Sequence, residues 1–365
     1  MQSLLFNAAA RDGKDFVTVK RTILFALLLC TPLSLFAAKN NAGIELDHAA
    51  QPGSRSVMDA HNCYPYDGWW SDRIDRALAG GTPLAIEQDL AWYTDPKTGK
   101  SWNVVAHGAP LSGQEPTMEH YFFDRVRPIV LKALREGNHG NWPLITLNLD
   151  FKDNNPQHIE AVWQLLEKYQ DWLSTARKSA NPAEVTPLTV RPILVLTGEQ
   201  DAQQKIFYDK VPVGGKLLVF GAVHNHDADP MAAPSVIEPE VASNYRRWWN
   251  NPWNVVEKGG QNKAGAWTKA DDARLRALVE HAHKNHLWIR FYTLDGETVP
   301  QESCRGLFHD YNFGSLQAAE VRWHAAQQAG VDYIASDQYQ KLAAMLRIWR
   351  KTSATNSAKQ SAKQL

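Results

Sequence analysis

Cysteine is scarce in this chain, which has only Cys30, Cys63 and Cys304 in 365 residues. An excess of one charge is missing too: 39 Lys and Arg balance 39 Asp and Glu. That balance argues against a nucleic-acid binder on bulk charge, although a local basic pocket is compatible with it. Beyond one segment near the N-terminus, no stretch approaches the roughly 18–20 uninterrupted apolar residues of a membrane span. A glycine-rich phosphate fingerprint after the first strand is also lacking, which weakens a dinucleotide-binding reading.

A hydrophobic content of 44% supports a sizeable core, and 21% charged residues suits a soluble domain. Lys20 and Arg21 precede "TILFALLLCTPLSLFAA", which ends at Ala37 and Ala38. A basic region, a short apolar run broken by Pro32 and small residues at its end describe a signal peptide over 1–38. The polar "RDGKDF" ahead of it suggests a true start near Val17 or Val19. The expectation is an exported protein, secreted or periplasmic, with one domain over 39–350. The Ser/Ala/Lys/Gln-rich segment 351–365 is expected to be a disordered tail. Loss of Cys30 with the leader leaves Cys63 and Cys304, which permit one disulfide or two buried thiols.

Strand-like and helix-like segments alternate through the domain. Val57–Ala60, "PLAIEQDL" (83–90), "WNVVAHG" (102–108), "PLITLNLDFK" (143–152), "RPILVLTG", "KLLVFGAV", "HLWIRFYTL" and "VDYIASD" are strand candidates. Helical spacing is clearest where Ile159, Val162, Leu165, Leu166 and Tyr169 share a face. About seven or eight such repeats imply a parallel sheet with helices outside, and a closed (β/α)8 TIM barrel leads over an open doubly wound sheet. Residues 222–266, with "YRRWWNNPW", read as long loops over one face.

Polar residues gather at the strand ends, where a parallel barrel carries its active site. His61 and Asn62 follow the first strand in "DAHNCYPYDGWW"; Glu87 and Asp89 end the second; His107 ends "VVAH"; Asp150 and Lys152 end "LITLNLDFK". Strand alternation puts Glu87 and Asp89 on one face, and likewise Asp150 and Lys152. Paired buried carboxylates repel unless a cation or proton shares them. Glu87, Asp89 and Asp150 with the Asn62 amide oxygen make an all-oxygen set suited to Ca²⁺ or Mg²⁺. The plainer alternative is a set of salt-bridged barrel carboxylates.

These fragments, "HNCY", "IEQD", "VVAHG" and "LDFK" together with the closing "GVDYIASDQY", resemble the phosphatidylinositol phospholipase C-like phosphodiesterases. That superfamily includes glycerophosphodiester phosphodiesterases and spider-venom sphingomyelinases D. The resemblance implies a PLC-like TIM barrel that cleaves a phosphodiester with a divalent cation. It further implies His61 and His107 as the acid–base pair, with His61 the base, and Lys152 as a stabiliser of transition-state charge. Asn62-Cys63 departs from the arginine-glycine usual in glycerophosphodiesterases, which moves the match toward the phospholipases.

His224, in "HNHD", follows a strand candidate and so falls on the functional face. Arg246, Arg247 and Trp248 suggest a lid that stacks a headgroup and binds phosphate. "HAHKNH" (281–286) ends a helix and reads as capping rather than metal binding. The expected partner is a phosphodiester small molecule or lipid headgroup, met by a monomer with no nucleic acid and at most peripheral membrane contact. Fourteen tryptophans keep a second reading open, a non-catalytic carbohydrate- or headgroup-binding protein on a decayed barrel. A retaining glycosidase would not need paired histidines.

Overall fold

Short aliphatic runs that are apolar on both faces cannot be left facing water, and here they pair side by side into parallel strands. The computed structural model describes residues 50–65, 71–226, 228–298 and 309–349. The expected leader, the expected tail and Cys304 lie outside the described residues.

The strands are β1 (Val57–Ala60), β2 (Leu84–Thr94), β3 (Ser101–Val105), β4 (Ile145–Phe151), β5 (Thr175–Arg177), β6 (Leu188–Thr189), β7 (Ile193–Thr197), β8 (Lys216–Leu217), β9 (Phe220–Ala222), β10 (Arg246–Asn251), β11 (Trp288–Phe291) and β12 (Tyr333–Ser336). The main sheet runs β1-β12-β11-β10-β9-β7-β4-β2, and a β1–β2 pairing closes it. Its ninth strand, β3, is antiparallel to β2, so the remaining eight form the closed parallel barrel. The expected (β/α)8 architecture is therefore present. A separate small sheet pairs β6, β5 and β8.

Two strand assignments differ from the expectation. Ser101–Val105 is not a barrel strand; it folds back on the long β2 as a hairpin that carries His107 above the rim. Its place is taken by β10, whose "RRWWNN" was expected to be loop. Those side chains are mostly buried and mostly polar or charged, so the strand lacks the aliphatic signature of its neighbours. "KLLVFGAV" also splits, giving β8 to the small sheet and β9 to the barrel.

The helices follow ordinary end rules. Asn155 accepts from Gln157 N at the start of Pro156–Lys168, and Thr268 with Asp271 makes a capping box before Lys269–Lys284. Gly330, at φ 86°, ends Leu316–Ala329 in the left-handed conformation that glycine adopts without a Cβ clash.

The segment after β10 is fastened to that last helix by a buried ion pair. Arg322 donates from Nε and Nη2 to the two Glu257 oxygens at 2.9 and 2.7 Å, and Trp253 Nε1 donates to Glu257 at 2.7 Å. Truncating the cation leaves a buried carboxylate short of its main partner. Arg322→Ala should therefore lower unfolding free energy by about 3–5 kcal/mol in a urea titration.

Candidate functional site

The C-terminal ends of the strands surround a cavity of about 300 Å³ lined by His61, Asn62, Glu87, His107, Asp150, Lys152 and Trp248. Seven of the residues expected from sequence thus face one space. Asn148, Asn250, Arg290, Tyr292, Thr293 and Tyr311 join them there.

Below the cavity, the barrel is held by a charge. Arg290 on β11 donates Nε to Asp59 on β1 and, from Nη2, reaches Glu87 on β2 at 2.7 Å. Its Nη1 donates to Asn250 at 3.0 Å. Burial disfavours the Glu87 charge, but Arg290, His61 and Lys152 outweigh it and hold the carboxyl down at about 2. For Asp59 burial wins over the same arginine, and its pKa is raised.

His61 closes β1. Its Nδ1 donates to Asp337 Oδ1 at 2.9 Å, and its Nε2 faces Thr293 Oγ1 at 3.1 Å and Glu87 Oε2 at 3.6 Å. Burial opposes the imidazolium, yet Glu87 and Asp337 more than offset that and push its pKa up to about 9. Arg73, itself buried, pairs with the far oxygen of Asp337 at 3.0 Å. The other histidine is different. His107 is half-exposed, 3.9 Å from Asp89, and burial together with the Lys152 charge lowers its pKa.

Glu87, Asp89 and Asp150 each offer an oxygen within 4.8 Å of the others, close enough to share a metal ion. The register explains it, since Asp89 and Asp150 are direct partners across β2 and β4. Asp89 is fully buried, and neither of its carboxylate oxygens has a well-formed hydrogen bond. Lys152 Nζ lies 3.1 Å from Asp89 and 2.7 Å from Asp150. Even so, burial dominates and raises the Asp89 pKa to about 8. A desolvated carboxylate with Oδ1 unpartnered among the described residues and Oδ2 met by Lys152, in an all-oxygen set, fits a hard divalent cation. His61, Asp295 and Asp337 also cluster, but an Asp295 oxygen already accepts from Ser336 Oγ and Asp337 N at 2.6 and 2.7 Å.

Other expectations change. Asn62 lines the cavity, and its amide nitrogen lies 2.8 Å from His61 Nδ1 and 3.4 Å from both Asp337 oxygens. Cys63 is a buried thiol, free among the described residues, and Cys304, its candidate partner, lies outside them. The His61–Cys63 turn is fastened by hydrogen bonds: Tyr339, Arg73 and Gln88 donate to the carbonyls of His61, Asn62 and Cys63 in turn. Asn62 supplies the left-handed residue at φ 52°, which asparagine tolerates.

The substrate-binding lid does not form around the arginines. Arg246 donates to the Glu199 and Ala222 carbonyls and pairs with Asp201, and Arg247 donates to the Asn244 carbonyl. His224 bridges Glu240 and Asp201 at 2.8 and 3.1 Å, outside the cavity lining. Of that group only Trp248 reaches the cavity. Sequence reading missed Asp59, Arg290, Asp337 and Thr293. The available signal was a lone charge inside an apolar strand, as in "WIRF" and "VMDA".

No protein-family model matches the chain, and no curated protein matches it. Among solved structures it is similar to a calcium-dependent phosphoinositol-specific phospholipase C from Pseudomonas sp. (12% identity, 80% of this chain and 93% of that one, TM-score 0.40). It is also similar to 7,8-dihydropteroate synthase from Vibrio fischeri ES114 (11% identity, 83% and 94%, TM-score 0.37). A third is the wild-type Plasmodium falciparum HPPK-DHPS (7% identity, 82% and 49%, TM-score 0.44). Likenesses this distant do not bear on activity.

The Asp89 carboxyl yields a prediction of sign. Its pKa rises from 3.8 to about 8 on folding, so the folded protein keeps a proton that the unfolded chain releases. Its contribution to stability is therefore lost as pH climbs from about 4 to about 8. Without divalent cation, Asp89→Asn should melt higher than wild type at pH 8, and the gap should close toward pH 4. With millimolar Ca²⁺ the order should reverse, because only the wild type gains the full stabilisation of a ligand bound to the folded state.

Proposed function

We propose that the protein is a cation-dependent phosphodiesterase that cleaves a phospholipid headgroup or glycerophosphodiester, acting as an exported monomer with at most peripheral membrane contact. The observation that carries this reading is the convergence of two histidines of opposite electrostatic character on one cavity beside the carboxylate trio. Glu87, Asp89 and Asp150 would hold the cation, which when bound supplies positive charge to a phosphate oxygen.

The chain's own residues then divide the proton work. His107, with its pKa lowered, is suited to take a proton from the attacking water or from a neighbouring substrate hydroxyl. His61, with Nδ1 fixed on Asp337, is suited to give its Nε2 proton to the leaving oxygen as the phosphorus–oxygen bond breaks. This reverses the roles expected from the resemblance, because two carboxylates flank His61 whereas Lys152 faces His107. Lys152 and Arg290 bring further positive charge to the cavity lining, and Trp248, Tyr292 and Tyr311 give it an aromatic wall.

The leaving group tests the assignment. On an unactivated alkyl phosphodiester, His61→Ala and His107→Ala should each lower kcat/KM by about 100-fold or more. A 4-nitrophenolate leaving group needs little protonation, so bis(4-nitrophenyl) phosphate should rescue His61→Ala and not His107→Ala. Full activity of both variants on every diester would remove the catalytic reading.

A further inference from the structure

The segment after β11 departs from what its sequence prefers. Thr293 has φ 59°, a left-handed conformation that a β-branched residue rarely adopts. The other described non-glycine residues at positive φ are Asn62 and His286, types that enter this region more readily. Strain of this kind persists only where neighbours over-determine the backbone.

They do so here. Gln261, buried under the loop, donates Nε2 to the carbonyls of Tyr292 and Thr293 at 3.3 and 2.8 Å. Leu294 N donates to Ala335 O at 2.8 Å, and Trp323 Nε1 donates to Leu294 O at 2.7 Å. The result is that Thr293 lines the cavity with its hydroxyl 3.1 Å from His61 Nε2.

That nitrogen has a competitor. Glu87 Oε2 stands 3.6 Å from the same Nε2 and is the stronger acceptor by charge. An Nε2–H drawn to Glu87 would sit on a buried carboxylate, a charged acceptor that releases it less readily than a neutral hydroxyl does.

We infer that Thr293 is a positioning residue: its hydroxyl accepts from His61 Nε2 and holds that N–H on a neutral acceptor at the cavity instead of on the Glu87 carboxylate. Asp337 fixes one side of the ring and Thr293 the other, so the proton donor is oriented before substrate arrives. This deepens the phosphodiesterase reading and rests on it for its kinetic consequence, while the contact itself does not.

Three variants separate the hydroxyl from the backbone. Thr293→Val keeps the β-branch and so the same strain, Thr293→Ala drops both branch and hydroxyl, and Thr293→Ser keeps the hydroxyl. On an unactivated alkyl diester, Val and Ala should lower kcat by about 10- to 100-fold with KM little changed, while Ser stays near wild type. On bis(4-nitrophenyl) phosphate the Val and Ala losses should shrink, since no proton need be delivered. Equal losses in all three variants, or equal losses on both substrates, would assign Thr293 a purely structural role and overturn the inference.

An activity-independent measurement is the ¹⁵N shift of His61 Nε2, identified by its loss in His61→Gln. It should move in Thr293→Val and hold in Thr293→Ser. If it is the same in wild type and Val, the contact is refuted. If the wild type cleaves no diester while this shift pattern appears, the functional reading fails and the positioning of His61 stands.

Discussion

Arg290 is the charge around which the barrel is organised. A guanidinium buried to 1% exposure is tolerable only when its donors are matched, and here Asp59, Glu87 and Asn250 match them from β1, β2 and β10. β1 and β2 are the pair that closes the barrel, and β11 stands two strands from β1. One side chain thus links β10 and β11 to β1 and β2 through the barrel interior. Such an arrangement is poor at adding net stability compared with packed hydrocarbon, but removing one member strands the others in a low-dielectric interior.

The same matching sets the chemistry of the cavity above. Glu87 is pinned as an anion by Arg290, and so it can act on His61, whose opposite nitrogen meets Asp337 and through it Arg73. One chain of alternating charges therefore runs from the barrel centre to the rim and ends in an imidazole biased toward its protonated form. On the other side, Asp89 and Asp150 share a single lysine between them. That half is short of positive charge, which is why burial controls Asp89. A cavity with one well-paired side and one side short of cations is an asymmetric environment, and the two histidines placed in it are shifted in opposite directions.

Much of this could be read from the sequence because the barrel repeats one physical rule. Strand ends that carry His61, Glu87, Asp150 and Lys152 stood out against apolar runs, and all four line the cavity. β10 did not stand out, since its arginines and asparagines look like loop residues, and Arg246 is matched by carbonyls and a carboxylate that only the fold brings near. The hairpin of β3 read as a barrel strand because a half-buried apolar run looks alike in either setting. Asp59 and Arg290 were hidden for a related reason: a single charge in an apolar strand acquires meaning only from the partner opposite it, far away in sequence. Asp337, just past β12, likewise meets His61 and Arg73 only in the fold. The strain at Thr293 is a property of backbone dihedrals and leaves no mark on composition. Cys63 and Cys304 were bridge candidates as two cysteines expected on loops of one barrel rim; among the described residues the Cys63 loop is held by three carbonyl hydrogen bonds from distant side chains.

The central claim is that the carboxylate trio and the two histidines work as one cation-dependent hydrolytic site. It is tested most directly by stripping the protein of divalent cations and following bis(4-nitrophenyl) phosphate hydrolysis as Ca²⁺ or Mg²⁺ is titrated back. The account predicts negligible turnover in excess chelator and a saturable return, with the same midpoint as cation binding measured by calorimetry. Undiminished turnover in chelator, or cation binding that brings no turnover with any phosphodiester, would contradict it.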